Sequence, residues 1–194
     1  MQDTDYIDKM VDHLIAREGG FSDHRADRGG ATRWGITEAV ARANGYKGPM
    51  AVLPKHVAIA IYRARYWTLP GFDRIHMLAP TLAAELFDTG VNMGPGIAVG
   101  FLQRALNALN RGARDYADVA VDRQIGPATI AALSGFLNTR RVDGERVLIT
   151  AVEALQGERY ITLAERIPAN EAFVFGWLAN RLGNAAISPT NRGD

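Results

Sequence analysis

Arg17-Glu18-Gly19-Gly20-Phe21-Ser22-Asp23-His24-Arg25-Ala26-Asp27-Arg28-Gly29-Gly30-Ala31-Thr32-Arg33-Trp34-Gly35-Ile36-Thr37 is the segment around which the chain is organised. Two glycines follow Glu18, and glycine is favoured just past a helix C-terminus, so the spacing predicts a helix ending at Glu18. Three more glycines, two aspartates and a threonine follow, with a short β-hairpin expected around Trp34 to Ile36. So much special backbone on a rigid helix is the pattern of a functional loop.

Working outward, Ile7, Met10, Val11, Leu14 and Ile15 form one helical face before the loop, with Thr4 or Asp5 as its N-cap. After the loop, Thr37-Glu38 opens a brief helix that stops near Gly45, and Pro54 takes a first helical position. Val57, Ile61 and Ala64 carry that face towards Trp67, and Leu69-Pro70-Gly71-Phe72 reads as a turn. Pro80 opens the next helix, and Gly90-Val91-Asn92-Met93-Gly94-Pro95-Gly96 marks a helix junction. Val99, Leu102, Leu106 and Leu109 continue the helical spacing. A polar loop from Arg111 to Tyr116 and a tight turn from Val121 to Pro127 come next. Further helices are predicted from Pro127, from about Gly144 to Ala164, and from Asn170 to Leu182, before a flexible tail at 184–194. The fold class is mainly α with a small β-hairpin, divided near Gly94 into lobes 1–93 and 94–183.

The chain has 194 residues, 47% of them hydrophobic and 22% charged, enough for a packed core without staples. A net charge of +1 gives no broad electrostatic case for nucleic acid or anionic membrane. Cysteine is absent, which excludes disulfides and thiol catalysis. His13, His24, His56 and His76 lack metal-ligand spacing, so no metal or cofactor is expected. No basic-then-apolar signal opens the sequence and no apolar run approaches the ~20 residues that span a bilayer. The expectation is therefore cytoplasmic synthesis without a signal peptide or membrane insertion. Without a heptad or unpaired apolar stripe, a monomer is expected.

Glu18 carries the chemistry. A helix C-terminus bears partial negative charge and opposes ionisation of a carboxylate there. That contributes about 0.3–1 kcal/mol, less than one pKa unit, so a general acid at neutral pH needs apolar burial as well. Phe21 and Trp34 are the residues at hand to supply it. Asp27 lies nine positions after Glu18, across a glycine-rich turn, and two carboxylates flanking a cleft suit glycoside hydrolysis. Thr32 is placed to hold a water beside Asp27. The alternatives are plainer: a Glu before Gly-Gly is also a solvated helix end, and Asp-Arg-Gly-Gly is also a simple turn.

Glu18-Gly19-Gly20-Phe21, Asp27-Arg28-Gly29-Gly30-Ala31-Thr32 and Gly35-Ile36-Thr37 together resemble the N-terminal signature of glycoside hydrolase family 108. These are lysozyme-like N-acetylmuramidases common among phage endolysins. Phe87-Asp88, Val91 to Gly96 and Leu102 to Asn107 resemble the family's central segment. Val121-Asp122 with Ile125 to Thr129 resembles its accompanying peptidoglycan-binding module, and Gly176-Trp177-Leu178 its closing helix.

The resemblance implies a lysozyme-like helical fold with a C-terminal helical lobe. It also implies cleavage of the β-1,4 bond from N-acetylmuramic acid to N-acetylglucosamine in peptidoglycan glycan strands. It assigns catalysis to Glu18, and by the wider superfamily's Glu, Asp and Thr set to Asp27 and Thr32, with Asp23 the alternative to Asp27. A holin or export partner would bring the enzyme from the cytoplasm to the wall. If Asp27 activates water on the far face of the sugar, the enzyme inverts and the carboxyls stand ~6.5–9.5 Å apart; near 5 Å it retains. Inversion is the expectation. A lytic transglycosylase and a non-catalytic peptidoglycan-binding or secretion-assisting protein are the competing readings.

Trp34 and Tyr66 are candidates to line a sugar groove, and Asn92 to bond an N-acetyl group or to cap the helix junction. Trp67 and Trp177 are read as core. His24 is the one histidine in the loop, and Arg25, Arg28 and Arg33 make it locally basic, which suits an anionic mesh or a solvated surface equally.

Overall fold

The computed structural model of the chain describes residues 3–18 and 31–183, with side chains described at 6–12, 14–15 and 31–183. The chain divides after Leu69 into two compact units. Mainly helical architecture with one small hairpin is what the hydrophobic spacing predicts, and it is what the described residues form.

In the first unit α1 spans Asp3–Glu18 and buries Ile7, Val11, Leu14 and Ile15, the predicted face. It begins ahead of Thr4 and Asp5, which were the expected caps. Asp3 and Asp5 then stand in the first turn, where acidic residues are favoured. β1 (Thr32–Arg33) and β2 (Ile36–Thr37) pair antiparallel, Thr32 opposite Thr37 and Arg33 opposite Ile36. α2 (Glu38–Ala43) follows at once, its N-terminus capped by the Thr37 hydroxyl, which accepts from the Val40 amide at 3.4 Å.

α3 spans Lys55–Tyr62, and Pro54 is its N-cap rather than its first helical residue. The Pro54 carbonyl accepts from the amides of Val57 and Ala58, the role of a cap. α3 runs into a π-helical turn, Arg63–Thr68, where a uniform helix was expected. α1 packs on both, with Trp67 buried as predicted and its ring 6.4 Å from Tyr6. Ion pairs from Lys55 to Asp12 at 2.7 Å and from Arg63 to Asp8 fix the pairing of α1 with α3.

The second unit begins with α4 (Phe72–His76), a short helix inside what was expected to be a turn and its continuation. α5 (Pro80–Met93) and α6 (Pro95–Ala108) meet at Gly94, whose φ of 95° is a conformation glycine adopts without strain. No side chain of its own caps α5. Glu145, far along the chain, does so instead, its carboxylate accepting from the Leu82 amide at 2.9 Å. α7 (Pro127–Arg140), α8 (Gly144–Arg166) and α9 (Glu171–Arg181) complete the unit close to their predicted bounds. α5 packs against α4, α6 and α8 through Phe72, Leu82, Leu86, Leu102, Leu148 and Val152.

Three amides at 103, 107 and 110 face the returning chain and stitch it to α6. Asn107 makes a two-way pair with Val119, donating to its carbonyl at 2.8 Å and accepting from its amide at 2.9 Å. Asn110 donates to the Tyr116 carbonyl and to Asp118, while accepting from the amides of Asp115 and Tyr116. Gln103, 1% exposed, donates to Asp122 and to the Gln124 carbonyl and accepts from the Arg123 amide.

Trp177, expected in the core, is only half-buried. α9 packs on α8 and buries none of its residues, so Trp177 lies 5.2 Å from the Tyr160 ring and stacks on Phe173, itself 57% exposed.

Candidate active site

The candidate site residues of the first unit lie on α1, the hairpin and the π turn. Glu18 is the last residue of α1. Its side chain lies outside the described residues, as do Phe21, Asp23, His24, Arg25, Asp27 and Arg28. Thr32 is in β1, half-buried, two positions before Trp34.

Trp34 and Gly35 are the two central residues of the hairpin, at φ 56° and 72°. Positive φ at both positions gives the two-residue turn whose twist matches that of the strands. Gly35 adopts it freely, but Trp34 is bulky and pays about 1–3 kcal/mol in backbone strain. The surroundings hold it there. Its indole Nε1 donates to the Leu53 carbonyl at 2.9 Å, and its carbonyl accepts from the Tyr62 hydroxyl at 3.1 Å. The Arg33 guanidinium lies 5.0 Å over the indole, a cation–π contact.

Tyr62 stands 5.7 Å from the ring of Tyr66, which is half-buried on the π turn. Trp34 and Tyr66 therefore belong to one aromatic cluster, linked by Tyr62. π turns insert an extra residue into a helix and occur often at functional sites. Tyr62 and the Leu53 carbonyl are site components that the sequence reading did not single out. The four-residue spacing of Tyr62 and Tyr66 was a usable signal for the first; no sequence signal identified the second.

Asn92 lies in the second unit, near the end of α5, exposed, with its side-chain amide donating to the Tyr160 hydroxyl. That bond joins a buried polar chain. Gln156 donates to the Tyr160 hydroxyl at 3.2 Å, and the Thr89 hydroxyl lies 3.4 Å from the Gln156 carbonyl and 3.3 Å from the Glu85 carboxyl. Glu85 is 5% exposed, and burial, with the nearby charges of Glu153 and Asp88, pushes its carboxyl up to about 8. Burial likewise pushes the Tyr160 hydroxyl up.

Among the described residues no group of three or more His, Cys, Asp or Glu side chains is arranged to hold a metal ion. None of the described helices is long and apolar enough to cross a membrane.

A mostly helical chain with one small antiparallel hairpin is consistent with a lysozyme-like fold that carries a C-terminal helical lobe. Residues 11–94 match the family model of glycosyl hydrolase 108, and residues 97–182 match the one described as a predicted peptidoglycan domain. The first segment is thus similar to glycosyl hydrolase 108 and the second to a peptidoglycan-binding domain, and together they support a peptidoglycan hydrolase. It is also similar to the structure of Brucella abortus SagA, at 25% identity and a TM-score of 0.54, over 89% of this chain and 95% of that one. Among curated protein sequences none matches it.

Proposed function

We infer that the protein is an N-acetylmuramidase, hydrolysing the β-1,4 bond between N-acetylmuramic acid and N-acetylglucosamine with Glu18 as general acid. The observation that supports this most is the position of Glu18 as last residue of α1, inside the segment that matches glycosyl hydrolase 108. Partial negative charge at that helix end favours the protonated carboxyl an acid needs to donate to the leaving oxygen.

In this reading Asp27, or Asp23 in its place, activates the water, and Thr32 holds that water from β1. Inversion follows from a water attacking the far face of the sugar. Trp34 and Tyr66 offer flat rings to sugar faces, and the clamp on Trp34 fixes its plane before substrate arrives. Asn92 contacts an N-acetyl group, its amide oriented by Tyr160. Residues 1–93 form the catalytic lobe and 94–183 the peptidoglycan-binding lobe. The enzyme works as a monomer, as a phage-type endolysin that reaches the wall with a holin or export partner.

Mass spectrometry of digested wall tests the reaction. Reducing muramic ends are expected. Anhydro-muramic ends would make the protein a lytic transglycosylase, and an intact wall that nonetheless binds the protein would make it a non-catalytic binding or export factor.

A further inference from the structure

Among the described residues Arg33 is a cation with no anion beside it. It is half-buried on β1, its guanidinium stacks on Trp34 at 5.0 Å, and its Nε is buried without a hydrogen-bond partner. It shares an orphaned Nε with Arg63 and Arg159, but of the three it alone lies over an aromatic ring among the described residues, that of Trp34. A guanidinium drawn partly out of water costs free energy unless an opposite charge or acceptor meets it. Its position is not left to chance. The residue beside it carries the strained φ of 56°, held from both sides by the Leu53 carbonyl and the Tyr62 hydroxyl. Strain of this kind, held by the surrounding structure, clusters at ligand sites.

We propose that Arg33 binds a carboxylate of the glycan strand and makes the enzyme select charged peptidoglycan over neutral strands of the same sugars. This rests on the hydrolase reading above. The planar fork of an arginine matches a carboxylate with two parallel hydrogen bonds, and stacking on Trp34 holds that plane beside a ring placed to meet a sugar face. Peptidoglycan offers two such carboxylates: those of the stem peptides, and the lactyl carboxylate of muramic acid once its peptide is removed. Either presents the same anion to Arg33.

The test compares wild type, Arg33→Gln and Arg33→Lys on four preparations. These are intact strands with stem peptides, amidase-stripped strands with free lactyl carboxylates, and each of the two with its carboxylates capped as methylamides. For Arg33→Gln, kcat/KM is expected to fall about tenfold or more further on uncapped strands than on capped ones, the loss of one charge-assisted contact. Whichever uncapped preparation shows the fall identifies the carboxylate. Arg33→Lys keeps the charge without the fork and should retain an intermediate preference. It also serves if Arg33→Gln disturbs the hairpin, which a thermal melt of the variant reports. Equal losses on capped and uncapped strands would overturn the proposal. Sedimentation of the same strands with each protein separates the two claims. A wild type that binds by charge, through Arg33, but cuts nothing would sink the hydrolase reading and leave the contact standing.

Discussion

Glu85→Gln should remove a pH dependence from the fold. Glu85 lies in the core of the second unit, between α5 and α8, and its carboxyl is raised from 4.5 to about 8, first by burial and then by Glu153 and Asp88. Thr89 opposes that rise by donating to the carboxyl, but burial outweighs it. The Thr89 hydroxyl has one proton and two acceptors in reach, Glu85 at 3.3 Å and the Gln156 carbonyl at 3.4 Å. Between about pH 4.5 and 8 the folded protein thus holds a proton that the unfolded chain has released, so stability falls as pH climbs through that window. A rise of 3.5 units (8 − 4.5) at 1.36 kcal/mol each is on the order of 5 kcal/mol, or a melting shift on the order of 10 °C. Glutamine keeps the volume and a donor but cannot ionise. Thermal melts of both proteins at pH 5, 7 and 9 should therefore nearly coincide at pH 5 and diverge at pH 9, the variant melting higher. A constant difference across the series, or a variant less stable at pH 9, would refute a neutral Glu85.

Trp34→Gly should leave stability within about 1–2 kcal/mol, because relief of the left-handed strain offsets the lost indole bond and packing. It should lower wall hydrolysis at least tenfold, and activity assayed beside a denaturation curve checks both. Unchanged hydrolysis would remove Trp34 from the substrate groove. Gln103→Ala should cost about 2–4 kcal/mol, since it strips partners from Asp122, the Gln124 carbonyl and the Arg123 amide at a buried position. Urea unfolding measures that loss.

Helix order and most helix bounds were legible in the sequence because each helix shows an apolar face and several begin at a proline. Pro80, Pro95 and Pro127 open α5, α6 and α7, and Gly94 separates two of them. The hairpin was legible too, from Gly35 and its neighbours. The π turn at Arg63–Thr68 was not, since nothing in Arg-Ala-Arg-Tyr-Trp-Thr distinguishes it from an ordinary helical turn. Long-range hydrogen bonding was equally invisible. Glu145 capping α5, Leu53 holding Trp34 and the Glu85–Thr89–Gln156 chain all depend on which helices meet, a fact that periodicity does not contain. Trp177 was misread because an apolar face predicts burial only when a second layer covers it, and α9 packs on α8 without burying any of its own residues.

The central claim is that one carboxyl, on Glu18, donates the proton that breaks the glycosidic bond. Release of soluble muropeptides from purified sacculi by Glu18→Gln, beside a melting curve showing the variant folded, tests it most directly. Release is expected to fall below about one-hundredth of wild type, the contribution of a positioned general acid, while sacculus binding persists. A folded Glu18→Gln protein that releases muropeptides at the wild-type rate would contradict the account.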